Sequence, residues 1–312
     1  MNLFVFVAIL AMIIYPYWQS KLNISMNITN LTHLALQQLG SPEILIQQHE
    51  LHLIQKMRDD FVALTLLFKS NDDIEKYENF EIPSNSYDYT IPITVYTPIG
   101  LDTTKPANAI IYYPGGGFVV GSPETYEGVL TKLTKRTNSI VIAINYHKAP
   151  EYKFPHGIND CIDATSYIVN NPIQFSINPK NIVIMGDSAG GHMTSIVSLQ
   201  PHLTNIIKGS VMIYPVIVFG VHSLSKVTHA HAPLLTSAKM DWYSRMYFEH
   251  YDNYTHILAC PTCNIYNIRD QNQLIDTNSA DNTKTDTNFH HVPNVHILTA
   301  EVDPLQSEGS SY

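Results

Sequence analysis

Charge is scarce in this chain. Asp, Glu, Lys and Arg make up 14% of its 312 residues, where an ordinary globular protein carries about 25%. Basic residues are the scarcer kind, 18 against 27 acidic, and the net charge is −9 at neutral pH. Such a surface cannot neutralise a run of phosphates, so nucleic-acid binding is excluded. Cysteine is scarcer still: Cys161, Cys260 and Cys263 are too few for a disulfide scaffold. Cys260-Pro261-Thr262-Cys263 lacks the βαβ surroundings of a redox motif, and reads as one surface disulfide or two incidental thiols. None of the 15 histidines stands at metal-ligand spacing, so no metal is expected, and no cofactor is called for. No internal repeat is present. Long apolar runs are absent as well, with Leu3 to Ile14 as a partial exception. That run is shorter than the 17 to 25 residues or so that span a bilayer.

What is present begins at that run. Residues 1–20 are expected to form a signal anchor or a signal peptide, with Tyr15, Tyr17 and Trp18 at the membrane interface. Trp18-Gln19-Ser20 makes a poor cleavage site, which favours an uncleaved anchor through which the chain would meet the membrane. Glycosylation sequons follow at Asn23, Asn27 and Asn30, and another at Asn253. Together they point to a body in the lumen of the endoplasmic reticulum, or to a secreted one. Residues 21–80 read as a stalk and cap helices, including an amphipathic helix from Ser41-Pro42 to about Lys69.

Residues 81–312 read as α/β. Ile91, Ile93, Val95 and Tyr96 suit an outer strand. Residues 109–113, 140–144, 182–185, 211–214 and 295–298 are short continuous apolar runs. Runs of that kind mark strands buried on both faces, and the segments between them are long enough for helical crossovers. The expectation is a doubly wound, mostly parallel sheet. From about 218 to 292 the rhythm breaks, and this stretch reads as a cap insertion over the carboxyl edge of the sheet.

The run at 182–185 enters Gly186-Asp187-Ser188-Ala189-Gly190, a G-x-S-x-G pentapeptide between a strand and a helix. A nucleophilic serine at the tip of so tight a turn holds strained backbone angles and needs small neighbours. Ser188 is therefore the candidate nucleophile. The Ala189 N–H at the head of the next helix can receive an oxyanion. Gly115, Gly116 and Gly117 follow the strand ending at Tyr113 and are candidates for the other donors. Asp303, just past the strand at 295–298, is the candidate orienting acid, with Glu301 as a neighbouring competitor.

Tyr113-Pro114-Gly115-Gly116-Gly117-Phe118, Asn145 to Glu151 with Phe154-Pro155, Gly186 to Gly191, and Asp303-Pro304-Leu305 with Glu308-Gly309 resemble four motifs of one family. These residues resemble the hormone-sensitive-lipase branch of the α/β-hydrolases, and within it the membrane-anchored esterases similar to arylacetamide deacetylase. The resemblance implies an α/β-hydrolase fold with a helical cap. It also implies a small hydrophobic ester or arylamide substrate, an acyl-enzyme on Ser188, Asp303 as the acid, and Gly116, Gly117 and Ala189 as oxyanion donors. Three features depart from the family pattern. Pro114 stands where the family has the histidine that braces the glycine loop. His147-Lys148 replaces Arg-Leu, and Ser307 replaces a second acid. The third departure concerns the base. The family's order is Ser, Asp, His, with the histidine on a loop roughly thirty residues past the acid. Here Tyr312 is nine residues past Asp303. The expectation is a chain whose last strand, histidine and closing helix are missing and whose activity is residual at most. The alternative is a non-catalytic protein that keeps the hydrolase fold for binding.

Overall fold

The computed structural model describes residues 51–66, 76–220, 223–232, 235–262 and 294–311. The five apolar runs all become strands. They are β3 (Ala107–Tyr113), β4 (Ile140–Ile144), β5 (Ile177–Asp187), β6 (Ile207–Ile213) and β7 (Asn294–Leu298), after β1 (Lys76–Pro83) and β2 (Thr90–Thr97). The seven form one sheet in the order β1-β2-β4-β3-β5-β6-β7. β1 and β2 run antiparallel to their neighbours, and every other pairing is parallel. β4 is buried at all five positions because strands flank it on both sides and helices cover it. β7 pairs only with β6 among the described residues and alternates between exposed and half-buried, so its apolar run is not buried on both faces as expected, because no described strand covers its outer edge.

β1 departs from expectation. Its sequence is charged and gives no strand signal, yet it pairs with β2 along its whole length, from Lys76 opposite Thr97 to Pro83 opposite Thr90. Buried Ile82 and the edge-to-face contact of Phe80 with Phe175, centroids 5.8 Å apart, supply what propensity lacks.

Between the strands lie α2 (Glu127–Thr137), α3 (His156–Asn170) and α4 (Ala189–Ser198), preceded by α1 (Leu51–Leu66). β3–α2–β4 steps toward β2, whereas β4–α3–β5 steps back across β3. Right-handed crossovers therefore put α2 and α3 on opposite faces of the sheet, and the reversal beside β3 opens a crevice at the strands' carboxyl ends. Every residue of α4 is buried. α1 buries Ile54, Met57 and Phe61 at helical spacing. In the cap region lie α5 (Leu224–Thr228) and α6 (Ser237–Tyr247), and α7 (Gln306–Ser311) closes the described chain. α6 starts at Thr236, whose hydroxyl caps it by accepting from Lys239 N–H at 3.1 Å. Cys260 is disulfide-bonded, and Cys161 is a buried free thiol. The apolar run at 3–14 and the sequons at Asn23, Asn27 and Asn30 lie outside the described residues. Asn253 lies in a 3-10 turn over Tyr251–Thr255. Among the described residues no helix is long and apolar enough to cross a membrane, and no His, Cys, Asp and Glu cluster could hold a metal ion.

Candidate active site

β5 ends at Asp187 and α4 begins at Ala189, so Ser188 alone makes the turn, at φ 54° and ψ −117°. For a residue with a Cβ this is a strained conformation, costing on the order of 1–3 kcal/mol. Backbone bonds on both sides hold it. Ser188 N–H donates to Ile213 O at 2.9 Å, and Ser188 O accepts from His192 N–H at 3.0 Å and Val216 N–H at 3.2 Å. A Cβ at Gly190 would overlap the carbonyl of Tyr113, so only glycine lets α4 start so close to β3.

The loop after β3 is tied to this turn by the residue just before the serine. Asp187 is 1% exposed and takes three donors. Gly115 N–H (3.1 Å) and the Tyr112 hydroxyl (2.9 Å) reach Oδ1, and the Tyr126 hydroxyl reaches Oδ2 at 2.8 Å. Burial nonetheless raises the Asp187 pKa above the ordinary carboxylate value. Burial also drives both tyrosines well up, which keeps them protonated donors. Tyr146 donates to Pro114 O at 2.7 Å, bracing the loop at the position where proline replaces the expected histidine. With its N–H on Asp187, Gly115 is not free to face a substrate, which corrects its expected role as an oxyanion donor. Gly116 and Gly117 have φ of 131° and 61°, and the ring of Tyr243 from α6 fills the place a Cβ at Gly117 would need. Among the described residues the N–H groups of Gly116, Gly117 and Ala189 donate to no acceptor. Free amides beside a serine at a helix N-terminus can take up negative charge developing there.

A second brace comes from α1 and was invisible in the sequence. Arg58 donates to Val119 O at 2.9 Å and Ala149 O at 2.9 Å, and forms a two-pronged pair with Glu151 at 2.8 and 2.7 Å. This one guanidinium clips the glycine loop to the 145–151 segment. Within that segment His147 bonds Asp160 Oδ2 through both its backbone N–H (2.7 Å) and Nδ1 (2.8 Å), and Lys148 Nζ donates to Asn145 Oδ1 at 2.7 Å. The two replacements for Arg-Leu are thus held by local polar bonds.

Asp303 follows β7 and is fully buried. Its Oδ1 accepts from Leu305 N–H at 2.9 Å, while Oδ2 has no hydrogen-bond partner among the described residues. Burial raises its pKa against the opposing effect of the Leu305 bond. His192 sits behind the turn between the rings of Phe118 (5.7 Å) and Phe219 (5.3 Å). Its Nδ1 lies 3.1 Å from Val216 O, an acceptor, so Nδ1 carries the proton. Burial lowers its pKa to about 4. His296 lies exposed on β7, and His290 and His291 fall outside the described residues.

Ser188 and Gly117 line one cavity of about 430 Å³. Its walls are mainly apolar and aromatic, with Phe118, Phe219, Met240, Tyr243 and Tyr254 among them, and Lys226 and Arg245 also reach it. Burial raises the Tyr243 pKa to about 12. This is the shape of a small-molecule site, mostly apolar with a few polar groups.

A family model described as alpha/beta hydrolase fold matches residues 110–312. The chain belongs to this α/β-hydrolase family. Similar proteins include human arylacetamide deacetylase-like 3, 35% identical over 153 residues, or 47% of this chain and 37% of that protein. Another is an ethyl acetate hydrolase of Pseudomonas putida, 28% identical over 162 residues and 51% of each chain. The chain spans about half the length of such relatives. Among solved structures, a hyperthermophilic esterase from Pyrobaculum calidifontis superposes with a TM-score of 0.72 at 26% identity, covering 90% of this chain and 82% of that one. The hydrolase fold and the resemblance to arylacetamide deacetylase-like proteins are thus established.

Proposed function

We propose that this hydrolase acts on small carboxylic esters, or arylamides, through an acyl-enzyme on Ser188. The observation that carries the reading is the strained Ser188 backbone, φ 54°, at the floor of an apolar cavity. Backbone strain of this kind clusters at active sites, where the surrounding structure holds it in place. Ser188 Oγ would attack the ester carbonyl, and the N–H groups of Gly116, Gly117 and Ala189 would receive the oxyanion. Asp303 would orient a base through Oδ2, the oxygen left without a donor. An imidazole serves there, with one N–H on Asp303 and its other nitrogen toward Ser188. No described side chain fills that role, so the 312-residue chain is proposed to turn over slowly at best. The body is proposed to work on the lumenal side of the endoplasmic reticulum membrane.

The test is labelling by a fluorophosphonate ester, which reacts with an activated serine. The expected result is a labelled wild type and an unlabelled Ser188→Ala variant; equal labelling of both would overturn the assignment. A second reading, a hydrolase fold kept for binding alone, is favoured by one observation. Neither Ser188 Oγ nor Asp303 Oδ2 has a hydrogen-bond partner among the described residues. Hydrolysis of p-nitrophenyl acetate by this chain at the rate of an ordinary esterase would eliminate that reading.

A further inference from the structure

The loop that carries Asp303 is fastened to the cap more than to the sheet. Ser225, in α5, is 2% exposed and sits at the junction. Its hydroxyl donates to Pro304 O at 2.6 Å and accepts from Ser307 N–H at 3.1 Å. Its own N–H donates to Ser307 Oγ at 3.1 Å, so Ser225 and Ser307 bond each other reciprocally. The next residue adds charge: Lys226 Nζ lies 2.6 Å from Glu308 Oε1, with side chains only 11% and 1% exposed. Glu308 Oε2 accepts from Ile217 N–H at 2.9 Å and Val218 N–H at 3.2 Å, at the root of the cap. By contrast, among the described residues the one bond made to the Asp303 carboxylate itself comes from its own loop, Leu305 N–H.

We propose that Ser225 is a positioning residue for Asp303: the first cap helix, by gripping Pro304 and Ser307, fixes where the acid carboxylate points. This rests on the reading of Asp303 as the orienting acid. Ser307 stands where the resemblance expects a second acid, and here its Oγ accepts from Ser225 N–H while its own N–H donates to Ser225 Oγ. Each backbone amide thus donates to the other residue's hydroxyl oxygen, and the Ser225 hydroxyl proton is left for Pro304 O. The cap of this chain would then set the acid as well as shape the pocket.

Amide hydrogen exchange on the full chain tests this, read at Leu305 N–H, which bonds Asp303 and belongs to the peptide group whose Pro304 carbonyl Ser225 holds. In Ser225→Ala the Leu305 amide should exchange about tenfold faster, the scale of a lost buried hydrogen bond, while amides of β3 and β5 stay as slow as in the wild type. Ser225→Thr keeps the hydroxyl and should restore slow exchange. Ser307→Ala removes one of the bonds from the other side and should accelerate Leu305 to a smaller degree. Unchanged Leu305 exchange in both alanine variants overturns the proposal, as does a Ser225→Thr protein that exchanges as fast as Ser225→Ala. Phosphonate labelling reports separately on the catalytic reading. If Leu305 loosens but Ser188→Ala labels like the wild type, the cap still positions the loop and the esterase assignment falls.

Discussion

Asp187 offers the sharpest test of how the site is built, because removing its charge and removing its hydrogen bonds should have opposite weight. Three donors converge on the buried carboxylate, two on Oδ1 and one on Oδ2. Asp187→Ala leaves Tyr112 Oη, Tyr126 Oη and Gly115 N–H without an acceptor. Each orphaned buried donor costs about 1–3 kcal/mol, so a loss of at least about 3 kcal/mol is expected. Asp187→Asn keeps the shape. Its amide oxygen can serve Tyr112 and Gly115, and the Tyr126 hydroxyl can rotate to accept from the amide nitrogen. The charge itself brings no gain here: burial raises the Asp187 pKa in spite of all three donors. Asn should therefore lie within about 1 kcal/mol of the wild type at pH 7. The pH dependence fixes the sign. A carboxyl with a raised folded pKa contributes most below its unfolded value, and that contribution is lost as pH climbs toward the folded value. The wild type should thus weaken relative to Asp187→Asn as pH rises from the unfolded carboxylate range. Urea unfolding followed by circular dichroism, across a pH series, measures all of this. If Asn cost as much as Ala, the carboxylate charge would be what holds the loop, and the reasoning from burial would fail.

Two further outcomes follow from a buried base and a partly exposed cation. His192, with its pKa lowered to about 4 by burial, is neutral in the folded chain, so stability present above the unfolded value is lost as pH falls. Between pH 7 and pH 5 the loss should be about 2 kcal/mol, and His192→Phe, among Phe118 and Phe219, should abolish that part of the urea-measured slope. Arg58→Ala should lower stability by about 1–3 kcal/mol, discounted for partial exposure, and Arg58→Lys should recover less than half. A compact ammonium cannot reach Val119 O, Ala149 O and both Glu151 oxygens together, and a lysine variant as stable as the wild type in thermal unfolding would refute that.

The parts of this fold that could be read from sequence are those set by local pattern. Five continuous apolar runs gave five sheet strands; four lie inside the sheet, where burial favours such runs, whereas β7 is an outer strand with no buried position. The G-x-S-x-G pentapeptide marked the joint of β5 and α4 because steric overlap at Gly190 leaves few alternatives. What escaped depends on partners far apart in the chain. β1 is a strand only because β2 and Phe175 receive it. Asp187 meets its three donors across 61 to 75 residues, and Arg58 meets Glu151 across 93. No periodicity encodes such meetings. The misreading of Gly115 has the same origin: a glycine in the right loop looks like a donor until the acceptor for its N–H is known.

The geometry also constrains the base that the proposed mechanism requires. Val216 N–H bonds Ser188 O, and the next two amides bond Glu308, five residues after Asp303. One short segment therefore spaces the proposed nucleophile from the proposed acid, and neither can shift without pulling on it. The base must fit a gap fixed by these bonds, with an N–H toward Asp303 Oδ2. His192 does not meet that demand. Its protonated nitrogen already faces Val216 O behind the turn. With a pKa near 4, it would also accept a serine proton less readily than an ordinary imidazole by two to three powers of ten. Under the proposed mechanism, a histidine held at ordinary basicity against Oδ2 would meet it.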